Sequence, residues 1–275
     1  DKPLTSTMDD AHAFADAVAA SDAMFFLTHN YTGYPMIRQA QAMVAAGDIG
    51  KIRVVQVEYP QDWLTEASEN DGLKQAQWRT DPERSGAGGS VGDIGTHAYN
   101  IACFVSGLKG AELAADLHSF VPGRQLDDNA HVMLRFDGGA RGMLWSSQVA
   151  PGNENGLKLR IYGEAGGLEW KQEDPNYLWH TPFGEPKRLI TRNGVGSGPN
   201  AAAVSRIPAG HPEGYLEGFA NIYSGIADAI EAVRDGKPLP ADAAFLPGIQ
   251  AGLDGMAFID ACVRSSSDNA AWTKL

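Results

Sequence analysis

Apolar and polar residues change period more than once along this chain. From Lys51 to Tyr59 the alternation is strict, with Arg53, Val55, Val57 and Tyr59 on one side and Ile52, Val54, Gln56 and Glu58 on the other. A period of two predicts a strand. It recurs in Asn129–Asp137, where Ala130, Val132, Leu134 and Phe136 share a face, and in Leu157, Leu159 and Ile161 before Gly163. Arg141–Val149 and Gly167–Gln172 read as further strands. Asp137-Gly138-Gly139 and Glu164-Ala165-Gly166-Gly167 are hairpin signals. Strands joined by turns this short pair antiparallel, so the pattern predicts an antiparallel sheet with at least one apolar face.

Helical spacing frames these strands. Residues 4–21 read as a helix capped by Thr5 or Ser6, with Phe14 and Val18 among its apolar positions. Met24-Phe25-Phe26-Leu27-Thr28 is a short continuous apolar run, the pattern of a buried parallel strand. Residues 34–46 read as a helix ended by Gly47. Another helix carries His97 and runs to about Val105. A longer one spans about Pro212 to Arg234, with Tyr215, Phe219, Ile222, Ile226, Ile230 and Val233 at three-to-four spacing. A last helix covers about 242–264. Residues 192–210 hold little that builds a core and are expected to form a mobile loop. No internal repeat is evident.

Composition narrows the function classes. The chain has 275 residues, enough for one large domain or two smaller ones, and is 43% hydrophobic and 20% charged. A net charge of −12 disfavours nucleic acid and anionic membrane surfaces. No apolar run approaches the roughly 20 residues that span a bilayer. Cys103 and Cys262 stand in separate apolar segments and read as small buried hydrophobes, which suits a reducing cytoplasm. The seven histidines form no His-x-x-x-His or Cys/His cluster, so no metal site is expected. His131 and His180 fall in strand-like regions and read as structural.

Candidate chemistry concentrates in Gly86-Ala87-Gly88-Gly89-Ser90-Val91-Gly92-Asp93-Ile94-Gly95-Thr96-His97. A glycine-rich turn leads into a helix on which Asp93 and His97 stand four residues apart, one turn along the same face. A carboxylate beside an imidazole suits proton transfer near neutral pH. Oxidising an alcohol carbon needs such a base for the hydroxyl proton, and an ammonium such as Lys2 favours the developing alkoxide.

Further motifs widen the picture. They are Asp1-Lys2-Pro3, then His29-Asn30-Tyr31-Thr32, Trp78-Arg79-x-Asp81-Pro82, and the Gly-Gly…Asp-Ile-Gly-x-His run itself. In this order they resemble the glucose–fructose oxidoreductase / inositol dehydrogenase family of NAD(P)-dependent sugar dehydrogenases. The resemblance implies an α+β fold: a large, predominantly antiparallel open sheet with helices on one face, the other face pairing subunits into a homodimer or homotetramer. It places Lys2, Asp93 and His97 at the catalytic positions and Lys2 and Pro3 beside an NAD or NADP cofactor. It implies a monosaccharide, sugar derivative or cyclitol as substrate.

Asn30 and Tyr31, at the end of the short apolar run, are candidates for lining the pocket. Trp78 and Arg79 offer an aromatic wall and a donor fork to a polyol. His211 either caps the helix it opens or reaches the substrate. Two departures from the family pattern are Asp1, where Glu is usual, and Asn100, where many relatives have Asp.

The family opens with a Rossmann half carrying Gly-x-Gly-x-x-Gly. The nearest match here, Gly196-Ser197-Gly198-Pro199-Asn200-Ala201, has no βαβ unit around it. Residues 1–31 therefore read as the remnant of a dinucleotide-binding domain, and residues 32–275 as the substrate-binding, catalytic and oligomerisation domain. The alternative is a non-catalytic sheet domain that binds a sugar or a protein.

Overall fold

The computed structural model describes residues 1–275. Helix α1 (Met8–Ala19) precedes a 3₁₀ turn at Asn30–Gly33 and α2 (Pro35–Ala46). Strand β1 (Ile52–Pro60) follows, then two short helices, α3 (Lys74–Arg79) and α4 (Pro82–Ser85). A π-helical turn, Val91–Gly95, runs unbroken into α5 (Thr96–Ser106). Next come β2 (Gly110–His118), β3 (Asn129–Phe136), β4 (Arg141–Ser147) and β5 (Lys158–Gly163). The sheet continues with β6 (Gly166–Lys171), β7 (Tyr177–Pro182) and β8 (Arg188–Thr191). Helices α6 (Pro199–Ala202), α7 (Tyr215–Arg234) and α8 (Ile249–Ser267) lead to a closing strand β9 (Thr273–Lys274).

All nine strands form one sheet in the order β8-β7-β6-β5-β1-β4-β3-β2-β9. Only the central pair, β1 with β4, is parallel. The predominantly antiparallel open sheet with helices on one face is thus observed. α8 lies on β2, α5 on β1, β4 and β5, and α2 against β6 and β7. Val55, Val57, Val132, Leu134, Leu159 and Ile161 point beneath these helices and are buried. The opposite face stays open. There Met133 stands directly across from Met143, and the two are 54% and 48% exposed.

Three expectations need correction. Met24–Thr28 is not a strand: no other strand lies beside it, and Leu27 N–H donates instead to Pro247 O at 2.8 Å. Residues 192–210 are not a free loop. Arg192 is buried, and its guanidinium donates to the main-chain oxygens of Ile207, Pro208 and His211. A buried guanidinium must fill its donors, and here the segment folds around it.

Helix α7 is the third case. Its buried residues are Gly218, Asn221, Ile222, Ala229 and Ala232, whereas Tyr215, Ile230 and Val233 are exposed. The helix packs backbone to backbone on the Asn30–Gly33 turn. A Cβ on Gly33 would meet Gly218 O at 2.2 Å, and one on Gly218 would meet the Tyr34 ring at 2.8 Å. Large side chains are therefore excluded from that contact, and Tyr215 and Phe219 are carried to its rim.

Smaller differences concern helix ends. α1 is capped by Thr7, whose hydroxyl accepts from Asp10 N–H at 3.2 Å. α7 starts at Tyr215 rather than Pro212, and α8 at Ile249.

Candidate active site

The glycine-rich turn is held to the sheet by one buried carboxylate. Asp127 accepts from Gly89 N–H at 2.6 Å, Val91 N–H at 2.9 Å and Ser90 Oγ at 2.8 Å. A Cβ on Gly89 would lie 2.0 Å from Asp127 O, so only glycine allows this approach. The carboxylate at a helix N-terminus fills orphan donors and opposes the helix dipole. It seats the next turn on β4. That turn is π rather than α: Thr96 N–H reaches back to Val91 O. π turns recur at functional sites, and this one presents Asp93 and His97 to a common cleft.

The cleft has a volume of about 570 Å³ and is lined by Lys2, Asn30, Tyr31, Trp78, Arg79, Asp93 and His97 among others. Lys2 Nζ contacts the Asp93 main-chain oxygen and lies 3.2 Å from Asp93 Oδ1. Arg79 Nε donates to Asp93 Oδ2 at 3.0 Å, and Gln148 Nε2 to the same oxygen at 2.8 Å. The Arg79 guanidinium sits 4.1 Å from the centre of the Trp78 ring. His97 meets the Tyr31 ring edge-on at 5.0 Å and His29 at 5.8 Å.

Charge follows from this packing. Burial alone would raise the Asp93 carboxyl, but Lys2 and Arg79 beside it hold it below its ordinary range. Burial lowers Lys2 despite the opposing pull of Asp93. Burial also keeps His97 well below its ordinary value, and it depresses His29 to about 3. Both imidazoles are therefore neutral at pH 7. His97 Nδ1 is buried without a partner, which leaves Nε2 as the nitrogen open to the cleft.

Comparison with known proteins places the chain in a family. The GFO/IDH/MocA C-terminal domain profile matches residues 37–169. An uncharacterized oxidoreductase of Bacillus subtilis, YfiI, is 32% identical over 277 residues, an alignment spanning 100% of this chain and 70% of that protein. The chain belongs to the GFO/IDH/MocA family of oxidoreductases. Among solved members, an oxidoreductase from Sinorhizobium meliloti is 61% identical with a TM-score of 0.87, covering 99% of this chain and 71% of that one. An inositol dehydrogenase homologue from Azotobacter vinelandii, complexed with NADH and myo-inositol, is 31% identical with a TM-score of 0.89. That match covers 99% of this chain and 70% of the homologue. The same homologue has also been solved with NAD+.

Within this GFO/IDH/MocA chain the structure brings seven of the residues singled out from sequence to one cleft: Lys2, Asn30, Tyr31, Trp78, Arg79, Asp93 and His97. Pro3 lines an adjoining cavity of about 190 Å³ that shares Lys2, Trp78, Arg79 and Asp93 with the first. His211 does not join them. It is exposed beside a separate cavity with Glu173, Asn176 and Arg192, where its main-chain oxygen accepts from Arg192 Nη2 at 2.6 Å.

Several lining residues escaped the sequence reading: Tyr59, Gln61, Trp63, Asn155, Tyr215 and Phe219, with Gln148 as the third partner of Asp93. Tyr59, Gln61 and Trp63 sit at and just beyond the carboxyl end of β1. Ligands in parallel pairings gather at such ends, so that position was the available signal. Asn155, in the β4–β5 connection, offered none. Cys103 and Cys262 are free thiols, pushed upward by burial. No three or more His, Cys, Asp or Glu side chains gather as a metal-ligand group, and no helix is long and apolar enough to cross a membrane.

Proposed function

We propose that this chain forms the substrate and catalytic part of an NAD(P)-dependent dehydrogenase acting on a hydroxyl carbon of a monosaccharide, sugar derivative or cyclitol. The observation that carries the reading is the convergence of Lys2, Asp93, Arg79 and His97 on one polyol-sized cleft. His97 Nε2, neutral because it is buried, takes the hydroxyl proton. The Lys2 ammonium stabilises the oxygen as negative charge develops. Asp93 does not act as the base. It stays anionic and fixes Lys2 and Arg79, with Gln148 completing its acceptors.

The adjoining cavity suits the nicotinamide ribose and phosphate. Lys2, Arg79 and Arg84 supply cations there, beside Pro3 and the side-chain-free backbone of Gly88, Gly89 and Gly92. When bound, the dinucleotide supplies the hydride acceptor. Residues 1–31 read as part of the nucleotide-binding unit, and the half-buried run Met24-Phe25-Phe26 supports this because it has no strand beside it.

Residues 1–275 alone should hold the dinucleotide weakly and turn over nothing; the reading is tested by joining them to a nucleotide-binding domain and screening NAD+ and NADP+ against hexoses and cyclitols, read by reduced-nicotinamide absorbance. Turnover of at least one polyol is expected. Bound dinucleotide with no polyol oxidised would sink it. The open sheet face, with Met133 and Met143 half exposed, is proposed to pair subunits; Met133→Lys should shift light-scattering mass toward the monomer.

A further inference from the structure

One wall of the cleft is a continuous chain of neutral hydrogen bonds whose direction can be read. Trp63 Nε1 lies 3.0 Å from Gln61 Oε1, and Gln61 Nε2 lies 3.0 Å from Asn155 Oδ1. Tyr59 Oη lies 2.6 Å from the same Asn155 oxygen, and Tyr31 Oη lies 2.5 Å from Tyr59 Oη. An indole N–H can only donate. Gln61 must therefore turn its oxygen to Trp63 and its nitrogen to Asn155. Asn155 must then present its oxygen, and that oxygen can only accept, so Tyr59 gives it its single proton. Tyr59 has none left, and Tyr31 must donate to Tyr59. Burial pushes both phenols above their ordinary range, so each keeps one proton to spend.

Two members of this chain, Tyr31 at its end and Asn155 at its middle, line the cleft with opposite character. Tyr31 Oη has given its proton away and offers only lone pairs. The Asn155 Nδ2 group has no protein partner, is not among the buried unpartnered atoms, and offers only N–H. We infer that the Trp63–Gln61–Asn155–Tyr59–Tyr31 chain selects the substrate: Tyr31 accepts from one ligand hydroxyl while Asn155 donates to another, so the substrate is a polyol with two neighbouring free hydroxyls besides the one oxidised. This deepens the dehydrogenase reading above and rests on it. It also gives Tyr31 no proton to return to an alkoxide, which leaves proton exchange to His97. Trp63 acts as a positioning residue, since its indole sets the direction of every later bond.

Calorimetric titration of the joined protein with NAD+ present tests this, using myo-inositol, D-glucose, D-galactose, D-mannose and their monodeoxy analogues. For the best-bound polyol, removing either of two neighbouring hydroxyls should weaken wild-type binding about tenfold. Tyr31→Phe should weaken the parent polyol similarly and abolish discrimination against one deoxy analogue. Asn155→Asp keeps the oxygen that Tyr59 and Gln61 need but removes the donor, and should abolish discrimination against the other. Trp63→Phe, which frees the amides to turn, should reduce both preferences at once. The proposal is overturned if these variants weaken parent and analogues by one common factor, or if no neighbouring pair of hydroxyls matters to wild type. If no polyol binds at all, the dehydrogenase reading falls together with it.

Discussion

The two walls of the cleft hold their side chains in opposite ways. On one, Lys2, Asp93 and Arg79 form an ionic knot with Gln148; on the other, Tyr31, Tyr59, Asn155, Gln61 and Trp63 share protons without a formal charge. A knot of paired charges tolerates the loss of water because each ion keeps a counter-ion. It shifts protonation equilibria and so sets chemistry. A neutral chain barely shifts them, but it fixes which atoms give and which take, and so sets recognition. His97 stands between the walls, neutral and facing both. Reactivity and selectivity should therefore separate when each wall is altered.

The largest expected effect is at the point where the walls meet. In the joined protein, His97→Ala should lower kcat/KM for a good polyol by about 10²–10⁴, the usual contribution of a general base, with NADH affinity nearly unchanged. An equal loss of NADH affinity would mean that His97 holds the cofactor instead. Lys2→Ala should follow, at about 10²–10³, as expected for removing one donor from a developing oxyanion.

Asp93→Asn tests the ionic wall without changing its shape, and about 10–100-fold should be lost. Asp93 is the main influence raising Lys2 against burial. Without it the ammonium should deprotonate earlier, and the alkaline limb of the kcat/KM profile should move to lower pH. A limb that stays in place would remove Lys2 from the titration.

The smallest effect concerns stability. His29 and His97 are buried neutral, with folded values depressed from 6.5. Below pH 6.5 the unfolded chain therefore binds protons that the folded one refuses. This contribution is fully present above 6.5 and is lost as pH falls toward about 3 for His29. The unfolding free energy from urea melts should drop between pH 7 and pH 5, by up to roughly 1.4 kcal/mol per pH unit for each imidazole. His29→Gln should flatten that dependence, and an unchanged slope would assign the acid sensitivity elsewhere.

Some of this was legible in the residues alone and some was not. β1, β3 and β5 declared themselves because large buried residues alternate with mostly polar outward ones, and β4 followed from the hairpin signal at Asp137-Gly138-Gly139. β2 did not, since Ala111, Ala114 and Ala115 blur its alternation, and β7 and β8 carry apolar groups on both faces, as Trp179 and Leu189 show. The helix face of α7 was misread because small residues, not large ones, make its closest contact. Lys2, Asp93 and His97 were singled out through the order of the Asp-Lys-Pro and Asp-Ile-Gly-x-His motifs, which resembles a known family, and the fold brings the three to one cleft. Of the neutral wall only Tyr31 was singled out; Tyr59, Gln61, Trp63 and Asn155 were not, because they meet only once β1 and the β4–β5 connection lie side by side.

That meeting depends on the one parallel pairing, in which Val54 of β1 lies against Arg141 of β4. The whole stretch between them, with Trp63, Arg79, Asp93 and His97, must be looped out before the two strands join. Loop-closure entropy is spent first and rewarded last, so folding should be slow for a chain of this size. A nascent chain that has emerged only as far as β3 holds almost the entire ionic wall but lacks the strand that seats it. Ligand binding should then appear late and all at once, which would make a bound polyol a reporter of complete folding.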